Sequence, residues 1–199
     1  SPVSKLADVQ TTIFTVMSAL AQRHDAINLS QGFPDFDGPP ELLQRVQHYL
    51  TNGFNQYPPM AGVVPLRQAI AEKVADLYGL QCSVDDEITV TAGATEALFC
   101  AIAAVVHQGD EVIVFDPCYD SYDPVIRLQG GVPVHVPLVA PNYGVDWDQV
   151  ADAITDNTRL IIINTPHNPT GSVWDAADIE ALRQLIADKD IYLLGDEVY

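Results

Sequence analysis

Arg159-Leu-Ile-Ile-Ile-Asn164 is an unbroken run of branched apolar side chains held between an arginine and an asparagine. A strand with one wet face would alternate apolar and polar residues. A continuous run is what a strand covered on both faces needs. The flanks repeat the theme. Before it, Asp146 to Ile154 has helical spacing, with Asp146 placed to cap the first turn. After it, Asp175 to Asp188 reads as an amphipathic helix, and Ile191 to Leu194 as another apolar strand running into Gly195-Asp-Glu-Val-Tyr199. Further out, Val132 to Val136 and Glu111-Val-Ile-Val-Phe115 are strands, joined by a short helix over Ser121 to Leu128 that stops at Gly130-Gly131. Glu96 to His107 is apolar and rich in alanine, as a buried helix would be, and Glu87-Ile-Thr-Val-Thr91 reads as a strand before it. Strand and helix in alternation predict an α/β fold with a mostly parallel sheet and helices on both faces. Ligands of such sheets sit beyond the carboxyl ends of the strands, so the residues just after each strand carry the interest.

The first eighty residues have a different rhythm. Val9 to Gln22, Glu41 to Leu50 and Leu66 to Tyr78 have helical spacing, the last ending at Gly79. Asn28 to Pro40 and Asn52 to Pro65 are irregular, with Gly and Pro at close intervals. There is no internal repeat and no low-complexity tract.

Composition narrows the classes of partner. The 199 residues hold 9 Lys+Arg against 27 Asp+Glu, a formal charge of −18. That balance lacks the clustered cations of a nucleic-acid footprint and disfavours adhesion to anionic lipid. With 48% apolar residues there is material for a packed core. No apolar run approaches the roughly 20 residues needed to span a bilayer. Ser1 to Gln10 lacks the charged-then-apolar pattern of a secretory signal. Cys82, Cys100 and Cys118 form neither an even framework nor a CxxC pair, which favours a reduced, cytoplasmic setting. Most of the acids are aspartate, which reads either as a solvated surface or as adaptation to high salt.

Four strand ends carry candidate chemistry. Gly93-Ala94-Thr95 opens a helix with small residues, so backbone N–H groups and the helix dipole could cradle a phosphate, or simply cap the helix. Neither GxGxxG, nor GxxxxGK[ST], nor GxSxG occurs. Asp116-Pro117-Cys118-Tyr119 offers an aromatic ring that could lie against a flat ligand or serve as packing. Cys118 reads as a small buried filler rather than a nucleophile, since no histidine is placed by motif to activate it. Thr165-Pro-His-Asn168-Pro-Thr-Gly171 is a loop whose asparagine could point inward as a donor, and His167 has no second metal ligand near it in sequence. Asp196 ends a buried apolar strand, where an acid is costly unless it meets a cation or strong donors.

Together these pieces resemble the class I/II pyridoxal-phosphate-dependent aminotransferases of fold type I. The resemblance rests on Ser30-Gln-Gly-Phe-Pro-Asp-Phe36, Asn55-Gln-Tyr57, Thr91-Ala-Gly-Ala-Thr-Glu96, Asp116-Pro-Cys-Tyr119, Asn164-Thr-Pro-His-Asn-Pro-Thr-Gly171 and Asp196-Glu-Val-Tyr199, in that order over nearly the whole chain. Thr12-Ile-Phe-Thr15 and Asn28 to Phe36 make it most similar to the bacterial methionine-preferring enzymes and the kynurenine aminotransferase/cysteine-conjugate β-lyase group.

The resemblance implies roles. Asp196 would pair with the pyridine nitrogen of pyridoxal 5'-phosphate, and Asn168 and Tyr199 would hydrogen-bond the ring's 3-oxygen. Tyr119 would stack on the ring, and Gly93, Ala94 and Thr95 would hold the phosphate. Tyr57 would reach a partner subunit's phosphate across a homodimer; Gly32, with Asn168, would meet the substrate carboxylate, and Phe14 would wall the side-chain pocket. No metal ligand set is implied. Residues 1–40 would be an N-terminal arm and small-domain segment, and residues 41–199 the first part of the large cofactor-binding domain. The implied activity is transfer of the amino group of an apolar, aromatic or sulfur-containing L-amino acid to a 2-oxo acid. The alternatives are β-elimination from cysteine S-conjugates with the same cofactor and, more distantly, a ligand-sensing domain of a transcription regulator. The family's Schiff-base lysine follows the Asp-Glu-Val-Tyr segment, and Lys5, Lys73 and Lys189 lie outside that context. We therefore expect the 199 residues to be the N-terminal half of a longer chain, inactive by itself.

Overall fold

A computed structural model describes residues 3–32 and 34–199. Phe33, within the Ser30–Phe36 stretch, lies outside the described residues, as do Ser1 and Pro2. The chain divides into two compact units: Thr11–Thr91, and Ala92–Tyr199 together with Ser1–Gln10.

The larger unit is the expected α/β sheet. Its elements are α4 (Ala94–Val105), β1 (Glu111–Asp116), α5 (Tyr122–Leu128), β2 (Val132–Pro137), α6 (Trp147–Ala153), β3 (Thr158–Asn164), α7 (Ala176–Ile186) and β4 (Tyr192–Asp196). Among the described residues the four strands form one sheet in the order β2-β1-β3-β4, with every pairing parallel. β3, the apolar run, is central and buried almost from end to end. Its alternate side chains feed two cores. Leu160 and Ile162 join Val112 and Val114 of β1 against Leu98 and Ile102 of α4 and Val125 and Ile126 of α5. Ile161 and Ile163 join Ile113 and Phe115 of β1 against Val150 of α6 and Leu182 of α7. Two covered faces explain why these strands do not alternate in sequence. Each fully buried isoleucine contributes about 1.5–3 kcal/mol relative to leaving it in water.

Local signals set the helix ends. Asp146 caps α6, accepting from the backbone N–H of Asp148 at 3.1 Å and of Gln149 at 3.2 Å. Asp175 and Asp178 form a reciprocal capping box at α7. An aromatic group supports the core on the α6–α7 side, the lower core: Trp174 meets Phe115 and Trp147 edge-on, each at 5.3 Å between centroids, and Trp147 donates its indole N–H to Asp178 at 3.1 Å.

The smaller unit holds α1 (Ile13–Arg23), α2 (Pro40–Thr51) and α3 (Val64–Tyr78). Its anchor is a buried arginine. Arg67 of α3 donates Nε to the Gly62 carbonyl at 3.1 Å and a guanidinium N–H to the Val84 carbonyl, with Asp85 at 3.6 Å. Gly62 is at φ +98°, and a Cβ there would stand 2.7 Å from Val90 Cγ2, so only glycine fits. The strand expected over Glu87–Thr91 does not form. Ile88 is buried and Val90 donates its N–H to the Ala61 carbonyl at 3.0 Å, but no neighbouring strand pairs with the segment among the described residues. The β-favouring residues are there, and a ladder to satisfy their backbone groups is not.

Among the described residues, no helix is long and apolar enough to cross a membrane.

Candidate functional site

The carboxyl ends of β1, β3 and β4 and the start of α4 converge on a cleft of about 150 Å³. It is lined by Ala94, Thr95, Leu98, Tyr119, Asn164, Asn168, Asp196, Val198 and Tyr199. Six of the residues singled out from sequence are therefore on one wall or another of the same cavity. Gly93 stands next to it as the N-cap of α4, at φ +87°, a conformation that L side chains rarely adopt. The first-turn N–H groups of α4 open toward this end of the helix, where the dipole is positive.

Asp196 is the last residue of β4 and is 9% exposed. Its burial is made tolerable by donors. Tyr122, in the first turn of α5, donates its hydroxyl to Asp196 Oδ2 at 2.6 Å, and the N–H of Val198 reaches Oδ1 at 3.3 Å. Burial, and then the hydrogen bond to this carboxylate, push the Tyr122 hydroxyl well above the usual phenol range, so it stays a donor. Tyr122 also meets Tyr119 edge-on at 5.7 Å between centroids, which links the Asp196 support to the aromatic wall of the cleft. Sequence reading passed over Tyr122. The signal available was an aromatic residue three positions after Tyr119 at the head of a short helix, and nothing local ties it to a residue 74 positions on. Tyr122→Phe keeps the packing and deletes the donor to a buried carboxylate. We expect a loss of about 1.5–3 kcal/mol in stability by chemical denaturation, the range for hydrogen bonds to charged groups.

Asn164 was also passed over as a site residue in its own right. Buried at the end of β3, it donates Nδ2–H to the Asp196 carbonyl at 2.9 Å and accepts the Asn168 N–H at Oδ1 at 2.7 Å. One amide therefore locks the ends of two strands together and fixes the loop that presents Asn168. Asn168 is half-buried, and Tyr199 is exposed.

His167 is buried in that loop. Its Nδ1 lies 2.8 Å from the Thr170 hydroxyl, and the Phe115 backbone also acts on the ring. The histidine is thus a brace between the β3–α7 loop and β1, in keeping with its reading as a loop histidine. Burial pushes its pKa below the ordinary value, against the opposing pull of the Phe115 carbonyl. The unfolded chain then binds a proton near pH 6.5 that the folded chain refuses, so stability falls as pH drops below about 6.5. His167→Gln is expected to flatten the dependence of unfolding free energy between about pH 5 and 7, measured by urea titration.

Phe14, Gly32 and Tyr57 belong to the smaller unit. Phe14 is half-buried in α1, Gly32 is exposed, and Tyr57 is 99% exposed. Cys118 is half-buried and its thiol is pushed up to about 12 by burial and then by the Asp116 carboxylate, which leaves it a poor nucleophile at neutral pH.

Comparison with known proteins fits this geometry. The family model for aminotransferase class I and II matches residues 24–199. The methionine aminotransferase of Escherichia coli K12 is 58% identical over 198 residues, covering 100% of this chain and 51% of the relative. The probable N-succinyldiaminopimelate aminotransferase DapC of Mycobacterium tuberculosis is 45% identical, covering 99% of this chain and 50% of that protein. The crystal structure of Escherichia coli YbdL, identified with a methionine aminotransferase function, superposes with a TM-score of 0.96 at 57% identity, covering 100% of this chain and 52% of that one. The chain spans about half the length of the curated relatives it matches. A parallel sheet whose strand ends gather a buried carboxylate, an aromatic ring and a glycine-capped helix start, matched over nearly all its length by such relatives, belongs to the aminotransferase class I and II family.

Proposed function

We propose that the protein carrying this chain is a pyridoxal 5'-phosphate-dependent transaminase that takes the amino group of an apolar, aromatic or sulfur-containing L-amino acid, methionine-like in preference, and passes it to a 2-oxo acid. The observation that carries the reading is Asp196: a buried, doubly supported carboxylate in the same cleft as the start of α4. The residues present suit that cofactor. An acid for a pyridine nitrogen, a helix start for a phosphate and a ring for a flat aromatic face line one small cavity.

When bound, pyridoxal phosphate supplies an electron sink for the pair left on the substrate's α-carbon. In this reading Asp196 keeps a proton on the ring nitrogen, because its negative charge favours the cationic form of its partner. Tyr122 fixes the rotamer of that carboxylate from behind. Gly93, Ala94 and Thr95 hold the phosphate with backbone N–H groups, the Thr95 hydroxyl and the positive end of α4, a helix long enough to carry a dipole. Tyr119 covers one ring face. The Asn168 amide and the Tyr199 hydroxyl donate to the 3-oxygen. The preference for methionine-like donors is drawn from the resemblance to the Escherichia coli relative. So are the substrate-side roles of Gly32 and Phe14, the intersubunit role of Tyr57 in a homodimer, the assignment of residues 1–40 and 41–199 to arm and large domain, and a cytoplasmic location.

The test is a coupled assay of the whole protein with pyridoxal phosphate, L-methionine and a panel of 2-oxo acids. Formation of the 2-oxo acid of methionine together with a new amino acid is the expected result. Absence of amino transfer from every apolar, aromatic and sulfur-containing donor, with the cofactor demonstrably bound, would overturn the substrate assignment. Failure to bind the cofactor at all would overturn the reading of the cleft.

A further inference from the structure

Asp116, Cys118 and His135 bring three different donor types to one point on the upper face of the sheet. Asp116 closes β1, and Cys118 stands two residues on, in the turn before α5. His135 arrives from β2. Its neighbours Val134 and Val136 pack into the lower core, so the period of the strand turns the imidazole to the opposite face, as it does Asp116 after Phe115. The carboxylate oxygen, the thiol sulfur and the ring nitrogen all lie within 4.8 Å of one another. His135 Nδ1 is 3.0 Å from Asp116 Oδ1, and its Nε2 is 3.5 Å from Asp123 Oδ2 on α5.

We propose that Asp116, Cys118 and His135 form a binding site for Zn²⁺, with Asp123 as the outer partner that orients the imidazole. The site stands apart from the transaminase reading and does not depend on it. Bond lengths of 2.0–2.1 Å to nitrogen and oxygen and about 2.3 Å to sulfur place tetrahedral donors roughly 3.3–3.6 Å apart, against at most 4.8 Å here, so the donors would draw together on binding. A thiolate, a neutral imidazole and a carboxylate sum to two negative charges and neutralise a divalent ion. The mix of sulfur and nitrogen selects Zn²⁺ over Mg²⁺ or Ca²⁺, which take oxygen shells. The geometry also supplies the outer shell that metal-bound histidines require: Nδ1 faces the metal position while Nε2–H faces Asp123. His135 and Asp116 are each about two-fifths exposed, at 38% and 41%, so an ion and a fourth, water ligand have access. On binding, the Cys118 thiol gives up its proton to solvent as the Zn–S bond forms. The consequence is mechanical: the ion would tie β2 to the turn that carries Tyr119.

The test is a titration of metal-free protein with Zn²⁺ in competition with a chromophoric chelator, repeated with Co²⁺ as a spectroscopic probe. The expected result is one ion per chain and, with Co²⁺, a near-ultraviolet thiolate charge-transfer band that Cys118→Ser removes. His135→Gln is expected to weaken binding about 100-fold and Asp123→Asn about 10-fold, the span seen for ligand and outer-shell losses. His135 is exposed, so its variant keeps the test open should Cys118→Ser fail to fold. No stoichiometric binding would overturn the site. So would loose binding of several ions unchanged by His135→Gln, the behaviour of an acidic surface with charge −18.

Discussion

Asp196→Ala is expected to lower turnover by about 10²–10⁴-fold in the whole protein, with pyridoxal phosphate supplied in excess. The size follows from removing one member of a buried charge pair, which costs about 3–5 kcal/mol because the other charge is left without a partner. Here the charge left behind would be the protonated ring nitrogen, so that proton would be lost and the sink weakened. Asp196→Ala also strands the Tyr122 hydroxyl, now held by a 2.6 Å bond, in a buried setting. The paired measurement that separates the two effects is Tyr122→Phe. That variant should lose stability while retaining much more activity than Asp196→Ala, because the carboxylate itself remains. Near-normal turnover of Asp196→Ala with bound cofactor would remove Asp196 from the chemistry altogether.

Ile161→Ala is expected to destabilise the larger unit by about 2–5 kcal/mol in denaturant unfolding, the range for an isoleucine truncated in a tight core. Ile161 is fully buried in the middle of β3, with its side chain among Ile113, Val150 and Leu182. It belongs to the core on the α6–α7 face, away from the α4 helix start. The variant should therefore lower the urea midpoint with little effect on cofactor affinity as long as the protein is folded. Ile161→Val removes one methylene and should cost about 0.5–1.5 kcal/mol. Equal losses for the two variants would mean that the site collapses around the cavity, or that the isoleucine is not packed as described.

Much of this architecture was legible because its causes are local. The apolar runs over Glu111–Phe115 and Arg159–Asn164 name strands, the second one covered on both faces, and they are found as β1 and β3. Asp146 announced a helix start by chemistry that acts within three residues and caps as expected, and Asp175, read only as the start of a helix, caps α7 in the same way. Asp196 stood out because an acid at the end of an apolar strand needs donors. Glu87–Thr91 shows the limit of the same logic. Its residues favour strand, but a strand is completed by a partner strand's backbone, and among the described residues no strand pairs with that segment, although Val90 reaches the Ala61 carbonyl. Tyr122 and Asn164 went unremarked as functional groups because an aromatic at a helix start and a polar residue at a strand end are ordinary in isolation.

By itself the sequence determined the alternation of strand and helix, the two-sided burial of the central strands and the short list of strand-end residues where chemistry would gather. These depend on side-chain period and on contacts within a turn or two. Tertiary structure alone decided which of those residues meet. The order β2-β1-β3-β4 brings Tyr122 to Asp196, Asn164 to Asn168 and the β4 carbonyl, and His135 to Asp116. Several strand orders satisfy the same hydrophobic pattern, since parallel crossovers leave the sheet position of each strand free. The choice among them is made by packing across the whole sheet, and only then does a buried carboxylate acquire its hydroxyl donor.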